Sequence, residues 1–332
     1  MNYDVEADWQ LLNTCGYRCE YCFYPPEVLG EKLKVHADPQ VWTDAFDRTG
    51  RTWLVHMTGG EPTAYPDFAG LCRLLTKRHF ISFNSNLNHR SIVEFADAVN
   101  PARVSFINAG LHPAERASRK GLATFLEHAR RLRDRGFPIF VSVVCTPEAL
   151  ARFDQIVAMT APVGLYPVPK LLQGWVRGRA WPQAYAPEER AAFIRFSKRA
   201  RESSGGGLDF AGARPSIDVF GDDGFLGGVP SFLGAACAAG EKFVKIEPDG
   251  KVYRCEPKER NYLGNILDGS FRSGLGATPC DSSYCFYFCL KYANKSAPFP
   301  ETGEASRSEA FGLHAGNFRL ERRIPAAPVI DR

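Results

Sequence analysis

Cys15-Gly16-Tyr17-Arg18-Cys19-Glu20-Tyr21-Cys22 carries three cysteines at the spacing C-x3-C-x2-C, shortly after the apolar run 9–12, which reads as a strand. Three thiolates on one short loop can wrap one face of a metal cluster, but they fall short of the four ligands of a closed structural site. A [4Fe–4S] cluster held by three thiolates leaves one iron open for another ligand. Half of a zinc site is the competing reading. It needs a further Cys or His close by, and the first histidine, His36, lies fourteen residues beyond Cys22.

The chain has 332 residues, 45% hydrophobic and 23% charged, which suits a globular protein larger than one small domain. A net charge of +4 gives no argument for a nucleic-acid partner. No apolar run reaches the roughly 18 residues that span a bilayer. Residues 1–9 hold three acidic residues and no basic stretch, unlike a signal peptide, so a cytoplasmic, membrane-free protein is expected. Ten cysteines without an export signal point to metal ligation rather than disulfides.

Strand-like and helix-like runs alternate through residue 168. Strands are expected at 9–13, 53–57, 80–83, 103–107, 139–144 and 163–168, with helices at 39–48, 66–77, 91–99, 113–135 and 147–159 between them. Parallel strands need helical crossovers, so this pattern predicts an α/β fold, a partial (βα)6 TIM-like barrel with its chemistry at the C-terminal strand ends. The expected division is 1–168 for the barrel, 169–236 for a connecting segment with a helix at 187–203, 237–292 for a small Cys-rich domain, and 293–332 for a tail. Within the Cys-rich part, Asp249-Gly250 reads as the turn of a hairpin.

The second strand ends in Thr58-Gly59-Gly60-Glu61-Pro62, where two glycines permit close backbone approach. A cysteine loop after the first strand beside Gly-Gly-Glu-Pro after the second resembles the radical S-adenosylmethionine (SAM) superfamily, with Tyr21 at the aromatic position before the third cysteine. The resemblance implies that Cys15, Cys19 and Cys22 hold a [4Fe–4S] cluster and that SAM chelates its open iron. Reductive cleavage of SAM would then yield a 5′-deoxyadenosyl radical that takes a hydrogen atom from a substrate. It also implies SAM contacts at Gly59, Gly60 and Glu61, at Asn84 and Asn86, at Ser105 and Asn108, and adenine near 163–168. The plainer reading of Asn84 and Asn86 is turn-forming asparagine.

Cys237, Gly250 and Cys255 precede Leu263-Gly264-Asn265-Ile266 and then Cys280-x4-Cys285-x3-Cys289. This resembles the C-terminal SPASM extension, or its shortened twitch form. The full seven-cysteine pattern is not matched, so one auxiliary [4Fe–4S] cluster is expected. Cys237, Cys255 and Cys289 would be ligands, with Cys285 or Cys280 as the fourth. A zinc knot is the alternative. An auxiliary cluster can accept an electron from a substrate radical, and a spare cysteine can donate a hydrogen atom.

Among other residues, His112 lies after the fourth strand and suits a substrate contact or acid–base role. Cys145, at the end of the fifth, is expected to face either the cavity or the core. Asp218 and Asp222 are candidate proton acceptors, and Lys170, Arg177 and Arg179 are candidate contacts for an anionic substrate. The arginines of 113–135 read as a solvated helix face, and Cys72 as a buried small hydrophobe. Only fourteen residues precede Cys15, which argues against a leader-peptide-binding domain and for a small molecule, such as a sugar or natural-product precursor, oxidised with the auxiliary cluster as electron acceptor. A ribosomal peptide, modified by a maturase or epimerase, is the alternative. A non-catalytic zinc module is the alternative of another class. A flavodoxin or ferredoxin is the expected reductant.

Overall fold

The computed structural model describes residues 1–24, 27–29, 37–203, 219, 221–226, 232–255, 261–274, 276–280 and 292. Six strands follow one another in parallel: β1 (Val5–Leu12), β2 (Trp53–Gly59), β3 (Phe80–Ser85), β4 (Val104–Gly110), β5 (Ile139–Cys145) and β6 (Val168–Leu171). The helices between them are α1 (Pro39–Arg48), α2 (Phe68–Leu75), α3 (Ser91–Ala98), α4 (Pro113–Arg119), α5 (Leu122–Asp134), α6 (Pro147–Ala151) and α7 (Phe153–Thr160). This is the expected α/β architecture, an open, partial TIM-like barrel.

Alternation along the strands sorts their side chains onto two faces. On β1, Val5, Ala7, Trp9 and Leu11 join the main apolar core, and Trp9 packs on Trp42 of α1 with ring centroids 4.5 Å apart. The intervening residues face the other way and are polar. Through the parallel register, Asp8 stands beside His56, His56 beside Ser82, Asn84 beside Asn108, and Val144 beside Lys170. The barrel is therefore sealed by an apolar outer layer under the helices, while its inner face mixes the apolar side chains of Phe106, Phe140 and Val168 with these polar groups. Buried ones satisfy each other: His56 bridges Glu6 (3.3 Å) and Ser82 (2.5 Å), and the Thr58 hydroxyl donates to Asp8 at 2.7 Å.

Several boundaries differ from expectation. The sixth strand is Val168–Leu171 rather than 163–168, because Ala161–Val163 closes a 3-10 turn ending at Gly164 with φ 64°. The helix expected at 113–135 breaks at Lys120, which adopts φ 53°, and becomes α4 and α5. The helix at 147–159 breaks at Arg152.

Beyond β6, a small hairpin of β7 (Gly174–Val176) and β8 (Arg179–Trp181) precedes α8 (Pro187–Ser203). The Asp249-Gly250 hairpin forms as read, with Gly250 at φ 83°. Its strands are β10 (Phe243–Ile246) and β11 (Lys251–Tyr253), extended by β12 (Tyr262–Asn265). They continue the main sheet. β10 pairs in parallel with β1, giving the order β12-β11-β10-β1-β2-β3-β4-β5-β6. A separate two-stranded pairing joins β9 (Ala236–Cys237) to β13 (Thr278–Pro279). Among the described residues, no helix is long and apolar enough to cross a membrane.

Candidate active site

The cysteine loop leaves the C-terminal end of β1, and the neighbouring β2 end is built around it. The Gly60 amide donates to the Leu12 carbonyl at 2.7 Å, and the Glu61 amide to the Thr14 carbonyl at 2.8 Å. A Cβ on Gly60 would lie 2.3 Å from the Thr14 oxygen, and one on Gly59, whose φ is 112°, 2.3 Å from the Leu12 oxygen. These glycines are needed for the approach of β2 to the root of the cysteine loop. Gly60→Ala is expected to cost about 1–3 kcal/mol by overpacking and to lower iron retention. Gly16→Ala, whose Cβ meets nothing within 4 Å, should stay within about 0.5 kcal/mol of wild type. Denaturant unfolding and iron analysis of both variants test this contrast.

Glu61 is buried, and its carboxylate is fully engaged. Oε1 accepts from the Thr63 hydroxyl (2.5 Å), the Thr63 amide (3.2 Å) and the Ser85 hydroxyl (2.7 Å), and Oε2 accepts from the Asn86 amide (2.7 Å). It ties the end of β2 to the end of β3 and shapes the rim through charge-assisted hydrogen bonds. Asn86 closes a turn by accepting from the Asn88 amide at 2.9 Å, which is the turn-forming role weighed from sequence.

The loop itself is anchored by Tyr17, which is buried and whose hydroxyl accepts from Asn88 Nδ2 at 2.9 Å. The Arg18 guanidinium donates to the Cys15 carbonyl at 2.7 Å. Glu20 receives Nε and Nη2 of Arg177 at 2.8 Å each, while Nη1 of the same guanidinium meets Glu148 at 2.5 Å. Arg177 sits at φ 51° between β7 and β8. That hairpin is thereby tied to both the cysteine loop and the start of α6.

Cys15, Cys19 and Cys22 are half-buried free thiols. Burial pushes Cys15 up to about 11 and Cys19 up to about 12, and it raises Cys22 as well. Metal binding at neutral pH must therefore expel protons. Among the described residues, no three potential ligands converge on one ion-sized point. A cluster asks for something else, since each thiolate takes its own iron corner.

Arg116, expected on a solvated helix face, is instead buried. Its guanidinium donates to the carbonyls of Gly121 (3.0 Å), Gly110 (3.2 Å), Leu111 and Asn86, and to Asn88 Oδ1 (3.3 Å). It staples the ends of β3 and β4 to the start of α5. His112 adopts φ 47° just past β4. Its Nδ1 lies 3.0 Å from the Tyr21 hydroxyl and 3.5 Å from Cys19 Sγ. Burial, aided by the Arg116 charge, pushes the His112 imidazole down to about 4, so the ring is neutral.

The other site residues divide. Asn84 and Asn108 stand side by side on adjacent strands, and Asn108 Oδ1 is buried without a hydrogen-bond partner among the described residues. Such an acceptor calls for an N–H or O–H donor from a bound molecule. Ser105 is second in β4, toward the strand end opposite the cysteine loop, and fully buried, so the fold does not bring it to the rim. Cys145 shares the helix-facing side of β5 with Val141 and Val143, in the apolar core. The core alternative therefore holds for Cys145, and its carbonyl accepts from the Tyr185 hydroxyl at 2.5 Å. Lys170 is engaged by Asp222 at 3.3 Å and by the Val219 carbonyl, and Arg179 by the Ala184 carbonyl at 2.7 Å. Asp218, Cys285, Cys289 and His36 lie outside the described residues. Cys255 and Cys280 pack against the small buried cluster of Cys237, Ala239 and Phe243, and Cys237 pairs through β9 with Thr278 of β13.

Residues 9–159 match the radical SAM superfamily. Members of that superfamily use a [4Fe–4S] cluster and SAM. Three thiols on the β1 loop, a rim drawn tightly onto them and the open acceptor of Asn108 fit that pair of groups. The chain is similar over 75% of its length to the PqqA peptide cyclase of Gluconobacter oxydans (26% identical, covering 69% of that protein). It is similar in the same way to that of Ruegeria pomeroyi (24% identical, 75% of this chain, 67% of the relative). Among solved structures, anSMEcpe with bound AdoMet shares the fold with a TM-score of 0.56 at 15% identity, over 80% of this chain and 76% of that one. Streptococcus suis SuiB bound to precursor peptide SuiA gives 0.52 at 15% identity, over 82% and 66%.

Proposed function

We propose that the chain is a peptide-modifying radical SAM enzyme that acts on a ribosomally made peptide. The observation that carries this reading is its similarity over three quarters of its length to PqqA peptide cyclases. It replaces the expectation of a sugar or natural-product precursor, which rested on how few residues precede Cys15. When bound, SAM and the cluster supply a carbon-centred radical able to take hydrogen from an unactivated C–H bond.

The chain's own residues supply the setting. Cys15, Cys19 and Cys22 hold the cluster, and the Gly59-Gly60 approach sets the loop's height over the barrel mouth. Glu61 holds the β2 and β3 ends in register, and Asn108, with Asn84 beside it, offers the acceptor for SAM. The outer apolar layer keeps water from entering between the strands. Cys237, Cys255 and Cys289, with Cys285 or Cys280 as the fourth, form a twitch-like auxiliary [4Fe–4S] site, a reading supported by Cys255 and Cys280 packing on the small buried cluster that contains Cys237. Such a cluster suits net oxidation, with the first cluster reduced by a flavodoxin or ferredoxin.

The test is anaerobic incubation of reduced, reconstituted enzyme with SAM and either a library of short synthetic peptides or a panel of sugars. A peptide whose mass falls by two hydrogens, with 5′-deoxyadenosine formed above the substrate-free rate, is the expected result. Stimulation by sugars alone would restore the small-molecule reading.

A further inference from the structure

We propose that His112 and Tyr21 form a hydrogen-bonding relay onto the Cys19 sulfur that raises the reduction potential of the cluster held by the cysteine loop. Three features aim the His112 ring at that sulfur. Its backbone takes φ 47°, a left-handed conformation uncommon for a non-glycine residue. The ring folds back over Gly110, where any Cβ would stand 2.4 Å from Nε2, so this seat exists only because residue 110 is glycine. Finally, Tyr21 stacks along one face of the ring, 6.1 Å away at 21°, and Tyr17 meets it edge-on, 5.7 Å away at 88°.

Seated in this way, Nδ1 points away from Gly110 to the Tyr21 hydroxyl and to Cys19 Sγ. The Tyr21 hydroxyl also lies beside the Cys19 side chain. The arrangement that uses every proton has Nδ1–H donating to the Tyr21 oxygen and the Tyr21 O–H donating to sulfur. Polarisation along the relay strengthens the second bond. A donor on a ligating sulfur draws charge from the cluster and favours its reduced state. Glu115 lies near enough to oppose this, but its carboxylate is paired with Arg119 at 3.1 Å. His112 is thus a positioning residue for the cluster.

The readout is an EPR-monitored redox titration of the reconstituted enzyme without substrate, followed on the signal that added SAM perturbs. His112→Phe, which keeps the stacking ring but removes the donor, is expected to move the midpoint to more negative potential with iron content unchanged. Tyr21→Phe should move it at least as far, and the double variant no further than Tyr21→Phe alone. His112→Gln, which restores an N–H, should return the midpoint toward wild type. Gly110→Ala evicts the ring from its seat and should reproduce His112→Phe, which gives an independent route should the first variant fold poorly. Unchanged midpoints in His112→Phe and Gly110→Ala with full iron would overturn the relay. So would loss of iron in both, which would make the contact purely structural.

Discussion

Replacing Cys15, Cys19 and Cys22 together by alanine is expected to abolish 5′-deoxyadenosine formation and to halve the iron of the reconstituted enzyme, from about eight per chain to about four. The fold should survive. The loop is held by the Tyr17 hydroxyl, by the Arg18 guanidinium on the Cys15 carbonyl and by the Gly60 and Glu61 amides on the β1 end. The cysteine side chains are only half-buried and add weaker sulfur contacts, with the Tyr17 amide on Cys15 Sγ at 3.4 Å and His112 Nδ1 3.5 Å from Cys19 Sγ. Circular dichroism with iron analysis separates the two effects, and retention of all the iron would remove the loop from the metal site. Cys255→Ala should instead lower iron while SAM still perturbs the remaining cluster. Cys145→Ala is a control on the opposite side of β5. It should leave SAM cleavage intact and cost about 1 kcal/mol for a small buried void.

Arg116→Met is the second large effect, expected on stability at about 3–5 kcal/mol. The guanidinium is buried and serves acceptors from three chain segments, at the end of β3, the end of β4 and the start of α5. Methionine fills much of the volume but leaves those carbonyls without donors. Arg116→Lys should rescue little, because one ammonium cannot span the positions that a planar five-donor group reaches. Denaturant unfolding measures the loss. A cost below about 1 kcal/mol would mean that water replaces the guanidinium. Because Leu111 and Gly110 flank His112, the same variant should also weaken the binding of iron on the β1 loop.

How far the sequence could be read follows from how local each feature is. The first five strands and the helices between them were legible because apolar alternation and helical stripes are written within single segments, whereas the sixth strand starts where the expected one ends. Element ends were less so: Lys120 and Arg152 interrupt helices through backbone conformations that no composition signal marks. The cysteine loop and Gly59-Gly60-Glu61 were each contiguous, and their placement after successive strands made them neighbours by topology alone. Arg116 could not be recognised, since an arginine among Glu115, Arg119 and Lys120 looks solvated until the ends of β3 and β4 close around it. Tyr17 was likewise missed. Its role depends on Asn88, seventy-one residues away.

By itself, the sequence determined the class of this protein: three thiols at C-x3-C-x2-C on the first strand's loop, Gly-Gly-Glu-Pro on the second and a parallel βα repeat. Those are short-range patterns, and the chemistry they demand is carried by residue type and spacing. The tertiary structure decided what the individual residues do. Pairing of β10 with β1 carries the Asp249-Gly250 hairpin into the main sheet. Strand parity turns Cys145 toward the helices and leaves Asn108 with an open acceptor. The glycine at position 110 lets His112 fold back toward Cys19, ninety-three residues earlier. Each of these depends on segments far apart in the chain meeting at one place, and such meetings are fixed by packing and register, which no local pattern records.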